Sequence, residues 1–217
     1  MYRLIFTESV SEAHQEQIMK IFSEYYDKIR REIFLSTEEV EIFFHYSNNG
    51  ILDCEANMLQ RFLFFHLSKN FTDDDFLILL AHELFHLAHF DFFGETEENI
   101  DTIVDEGLAI FVEKRIRDRF ELNGKIQSDT WLKVMSEPKN EKMLKLAFEN
   151  DDIFDSEWWT LHFNKDLKDS RFADNTIYQV GFWLVGRIFE GGLSFKEMFF
   201  ADKDFWHEKV KEIVESE

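Results

Sequence analysis

The chain has one cysteine, one proline and eight glycines in 217 residues. A single thiol, Cys54, excludes an intrachain disulfide and a cysteine-built zinc site, so any metal must be held by histidine and carboxylate. So little Pro and Gly excludes long flexible linkers and collagen-like tracts. Bases are scarce too: 24 Lys and Arg stand against 44 Asp and Glu, a formal charge of -20. Phosphate backbones are bound through Lys and Arg that displace counterions, and anionic membranes attract basic segments, so neither nucleic acid nor membrane is an expected partner. No run approaches 18 uninterrupted apolar residues, and the start MYRLIFTESV lacks the basic and apolar regions of a secretion signal. The expectation is a soluble, cytoplasmic protein of unspecified oligomeric state. What the chain does have is apolar mass: 45% hydrophobic residues, 26 of them Phe, enough for a full core under a solvating acidic surface.

Hydrophobic periodicity divides the chain into a sheet-rich part (1–70) and a helical part (71–217), read together as one α+β domain. Tyr2 to Ser9 reads as a strand, and Ser9 or Ser11 caps a helix whose Ile18, Ile21, Phe22, Tyr25, Ile29 and Ile33 recur at helical spacing. Val40 to Tyr46 and Arg61 to Leu67 read as strands, with a turn at Ser47 to Gly50 and a further short strand at Ile51 to Glu55. These predict a small mixed sheet with a helix on one face. Thr72, followed by three Asp, opens a helix to about Phe90, and Thr96 with Glu97 and Glu98 opens one to about Arg119. Ile177 to Glu190, a capping box at Ser194 to Glu197 and Asp204 to Val214 complete the helical pattern. The region from Asn140 to Asp174 gives no clear elements.

The helix at 76–90 is apolar all round except for His82, Glu83, His86 and His89. Such a helix belongs in the interior, where each unpaired polar side chain costs kilocalories unless something binds it. His82 and His86, four apart, lie on one face and can reach a single ion, while Glu83 projects from the adjacent edge towards water on that ion. This His-Glu-x-x-His spacing is that of zinc hydrolases. The competing reading is a buried His/Glu cluster satisfied by hydrogen bonds alone. His89 lies about 10 Å further along the axis than His82 and is read as an outer or ordinary histidine.

Catalytic zinc takes three protein ligands and keeps one position for water. Glu106, in Asp105-Glu106-Gly107-Leu108-Ala109, is the expected third ligand, on a second helix that folds back after Gly94. Gly107 and Ala109 would let the two helices cross closely at the ion. Asp101 and Asp105 compete for the ligand role. Glu113, seven beyond Glu106, either orients a ligand histidine or is a solvated surface residue.

HELFH and DEGLA, with nineteen residues between His86 and Glu106, together resemble the gluzincin metallopeptidases, in which a glutamate of an Asn/Asp-Glu-Gly-Phe/Leu-Ala segment completes the zinc site. The small size, DEGLA and the later Tyr178-Gln-Val-Gly181-Phe182 are similar to the bacterial family of predicted zinc-dependent proteases of otherwise unknown function. The resemblance covers roughly 76–199. It implies a zincin-like fold whose edge strand receives an extended peptide, one zinc ion per chain on His82, His86 and Glu106, and a peptide or protein substrate. Thermolysin-like members carry an Asp four residues after the third ligand to brace a zinc histidine, and here that position is Ile110. The brace must come from elsewhere.

On this reading zinc activates water, Glu83 is the general base, and Tyr178 is the candidate donor to the oxyanion, with His162 and Arg171 in reserve. Tyr178 as an ordinary core tyrosine is the competing reading. Two other functions stay open: a metal-binding regulatory or interaction protein without turnover, and an acidic structural protein whose polar cluster is incidental. Asp91 to Glu106 holds seven acids and no base, and Glu149 to Glu157 five more. These predict a negative field that favours basic peptides.

Overall fold

A computed structural model describes residues 1–36, 39–48, 50–96, 98–124, 137–149 and 176–215. Among them the chain is α+β, a four-stranded mixed sheet with mostly helical content besides. The elements are β1 (Tyr2–Phe6), α1 (Glu12–Glu32), β2 (Val40–Tyr46), β3 (Asp53–Asn57), β4 (Phe62–Leu67), α2 (Asp73–Phe93), α3 (Asn99–Phe120), α4 (Glu137–Phe148), α5 (Thr176–Glu190), α6 (Phe195–Phe199) and α7 (Lys203–Glu215).

The sheet order is β1-β2-β4-β3. β1, β2 and β4 run parallel, and β3 pairs antiparallel with β4 at the edge. A parallel pair needs a long crossover, and α1 supplies it between β1 and β2. Ser11 starts that helix, accepting from the His14 amide. The short strand predicted at Ile51 to Glu55 lies two residues later, at Asp53–Asn57.

Strand alternation gives the sheet two unlike faces. Val40, Ile42 and Phe44 of β2 and Leu63, Phe65 and Leu67 of β4 are fully buried. Against them pack α1 through Phe22, whose ring lies 6.3 Å from Phe44, and α2 through Phe76, 5.0 Å from Phe65. The alternate residues, Phe43, His45, Phe62, Phe64 and His66, keep partial exposure on the other face. This is where the Phe excess goes: rings from the sheet and two helices form one continuous cluster, each pair adding about 0.5–1.5 kcal/mol beyond its buried area.

The chain divides into two compact units: 1–91 with 112–126, and 92–111 with 127–217. In the first, α2 belongs with the sheet. By length and composition alone α2 is apolar enough to cross a membrane, and 78% of its most apolar window is buried inside the protein. In the second unit the N-terminal half of α3 meets α5 backbone to backbone. A Cβ on Gly107 would stand 2.3 Å from the Gly181 carbonyl carbon, and one on Gly181 would stand 2.2 Å from the Ile103 carbonyl oxygen. Gly107 therefore serves a crossing with α5, not the crossing with α2 that its place beside Glu106 suggested.

Candidate metal centre

α2 begins where the sequence predicts. Thr72 Oγ1 accepts from the Asp75 amide at 3.1 Å and donates to its carboxylate at 2.7 Å, and three acids occupy the first turn. From there the helix carries its polar residues into the interior: His82 is 4% exposed, His86 5%, Glu83 8% and His89 0%.

His82 and His86 face each other through their Nε2 atoms, 3.1 Å apart. That is close to the separation of about 3.3 Å that two nitrogens bound tetrahedrally to one zinc would have. The far side of His82 is fixed. Its Nδ1 lies 2.8 Å from Oε1 of Glu113 on α3, and Glu113 is 1% exposed. A carboxylate that receives the Nδ1 proton leaves the Nε2 lone pair pointing at the prospective ion and makes the ring a better donor. Glu113 is thus the brace missing at Ile110, seven residues after Glu106 instead of four. It orients a histidine and is no surface residue.

Two turns before Glu113 on the same continuous helix stands Glu106. Donor atoms of His82, His86 and Glu106 all lie within 4.8 Å of one another, a buried or half-buried group able to hold a metal ion. Donor chemistry fits a borderline-soft divalent cation: two neutral imidazoles and a carboxylate, with one imidazole already oriented. Of the competing acids, Asp101 has other partners. Its carboxylate lies 3.2 Å from Lys203 Nζ and 3.2 Å from His207 Nε2 of α7. Neither Asp101 nor Asp105 joins the ligand group. His89 is outside it too and stacks on Phe85, ring centroids 5.0 Å apart.

Burial pushes the Cys54 thiol on β3 well above its ordinary pKa, and the Glu83 carboxylate raises it further.

Tyr178 is half-buried on the first turn of α5, one turn before Gly181. It is not a member of the His82–His86–Glu106 group. His162 and Arg171 lie outside the described residues, as does the acidic run after Glu149. The acids between Asp91 and Glu106 are less free than their number suggests. Asp91 binds Arg61 at 2.6 Å, and Glu98 and Asp101 both approach His207. Of these, Asp91 and Asp101 have cationic partners, Arg61 and Lys203.

Comparison with protein-family models, with curated proteins and with solved structures returned no match. The functional reading rests on the residues themselves.

Proposed function

We propose that this chain is a zinc-dependent metallopeptidase of the gluzincin type, with a zincin-like arrangement of sheet and metal helix. The observation that carries the reading is the braced donor set: His82, His86 and Glu106 converge, and Glu113 holds His82 from behind. A buried His/Glu cluster needing no ion would pair its histidines with carboxylates. Here His82 has its carboxylate on the far side, and its Nε2 and that of His86 are in addition turned towards each other, an arrangement that a cation rewards. The resemblance of HELFH and DEGLA to gluzincins supports the same reading.

Zinc held by these three residues supplies Lewis acidity, lowering the pKa of water towards about 7 and polarising a substrate carbonyl. The remaining roles belong to side chains. Glu83, next to His82 and buried, takes a proton from the attacking water and returns it to the leaving amine. His82 and His86 position the ion, and Glu113 keeps His82 in the tautomer that can ligate. Tyr178 is assigned as hydrogen-bond donor to the developing oxyanion. The antiparallel edge strand β3 supports main-chain pairing with an extended peptide. We assign peptide or protein substrates on the same grounds.

Elemental analysis of purified protein, together with cleavage of a casein or peptide panel by wild type and Glu83→Gln, tests this. Near-stoichiometric zinc with cleavage abolished in Glu83→Gln is the expected result. Zinc without cleavage would point to a metal-binding protein lacking turnover, and no zinc would remove both readings.

A further inference from the structure

The open face of the sheet carries a second pair of converging histidines. His45 on β2 and His66 on β4 are partners in the parallel register, and His45 Nε2 lies 2.6 Å from His66 Nδ1. The other nitrogen of His66, Nε2, is 3.1 Å from Oε1 of Glu55 on β3. Asp53 stands directly across from His66 in the β3–β4 pairing, which puts its side chain on the same face.

With both rings neutral, one proton assignment satisfies this chain. His66 donates Nε2–H to Glu55, which leaves its Nδ1 lone pair to accept from His45 Nε2–H. Moving the His45 proton to its own Nδ1 frees a second lone pair at the same point in space. Two imidazole lone pairs then converge, and one ring is held from behind by a carboxylate. Glu113 and His82 show the same connection at the buried centre.

We propose that His45 and His66 form a second divalent transition-metal site on the open face of the sheet, with Glu55 orienting His66. Water completes the coordination. Imidazole and carboxylate donors select Cu2+, Ni2+ or Zn2+ over Mg2+ or Ca2+. The rings need to part by about 0.3 Å for a right-angled pair at metal–nitrogen distances of about 2.05 Å, or about 0.7 Å for a tetrahedral one, and to turn so that both lone pairs meet at the ion off the line between the nitrogens. The His66 side chain is 25% exposed, so there is room for this movement and for solvent ligands. An ion here ties β2 and β4 together and raises thermal stability by mass action.

Chelator-stripped protein titrated with Ni2+ or Zn2+ by calorimetry tests the site, with circular dichroism to verify each variant's fold. Wild type should take up one equivalent more than His45→Gln, and Glu55→Gln should keep that equivalent with affinity about 10–100-fold weaker. Equal stoichiometry in wild type and His45→Gln overturns the proposal, as does unchanged affinity in Glu55→Gln. Both His45→Gln and wild type retain His82, His86 and Glu106. Failure of the buried centre would lower both counts alike and leave their difference intact. Should His45→Gln misfold, Glu55→Gln decides alone, since its side chain is 75% exposed and removable without disturbing the core.

Discussion

The two histidine pairs share one connection and differ in surroundings. On α2, His82 and His86 are four residues apart on a helix and braced by Glu113, with all three nearly inaccessible to water. On the sheet, His45 and His66 are cross-strand neighbours braced by Glu55 in a partly solvated setting. The buried pair has a protein carboxylate, Glu106, within reach, so few coordination positions are left to water. The sheet pair leaves most positions to solvent. Burial therefore separates the proposed catalytic centre from the proposed solvent-accessible site. Low dielectric strengthens every interaction in the first and makes any missing partner costly.

The strongest way to break the comparison is at Glu83, which has no counterpart on the sheet. Glu83→Gln should lower kcat by about 10²–10⁴-fold while zinc content stays unchanged, read by peptide cleavage and elemental analysis on one preparation. Zinc loss in that variant would make Glu83 a ligand and undo the contrast. Next is the brace: Glu113→Gln should weaken zinc affinity about 10–100-fold in competition with a chelating dye. An unchanged affinity would mean that the buried brace is structural only.

Packing around the second helix offers a third handle. Gly181→Ala forces a Cβ onto the α3 backbone, and about 1–3 kcal/mol of stability should be lost in denaturant unfolding. Gly186→Ala, on the same helix with open space around it, should stabilise by up to about 1 kcal/mol through helix propensity. Similar costs at both glycines would show that the close α3–α5 approach is not tight in solution. The smallest effect concerns Cys54. A raised pKa means little thiolate near pH 8, so alkylation by iodoacetamide should be slow. Glu83→Gln removes one of the charges that raise that pKa, lowering it and modestly accelerating the reaction. No change in rate would place Glu83 out of electrostatic range of β3.

Periodicity made much of this legible. β2, β4, α2 and α3 follow from alternation, caps and apolar runs, and the HELFH spacing singled out its helix because every neighbour is apolar. Glu113 was harder. Among 44 acids a glutamate two turns beyond a ligand is ambiguous until burial is known. Its place at the end of the apolar run Leu108 to Val112 was the available signal. The true neighbour of Gly107 depended on a helix about 70 residues away, which local spacing cannot reveal. The His45–His66 pair was out of reach for the same reason: β3 intervenes in sequence between the two strands, and register between non-consecutive strands is set by the packed core. The edge strand β3 is mostly polar, so alternation gave no sharp boundary and the expected segment fell two residues early.

The uniform apolarity of α2 also bears on how the protein is made. As the chain leaves the ribosome, this helix emerges long before Val112–Ile126, which belong to the same compact unit. At about 5–20 residues per second, that interval lasts a few seconds, during which a segment with the length and hydropathy of a membrane span lacks part of its final cover. Three histidines, a glutamate, three leading aspartates and Asp91 are what distinguish it from such a span. The polar residues assigned to the metal centre thus also act earlier, as a mark that makes lipid a poor host for the nascent helix.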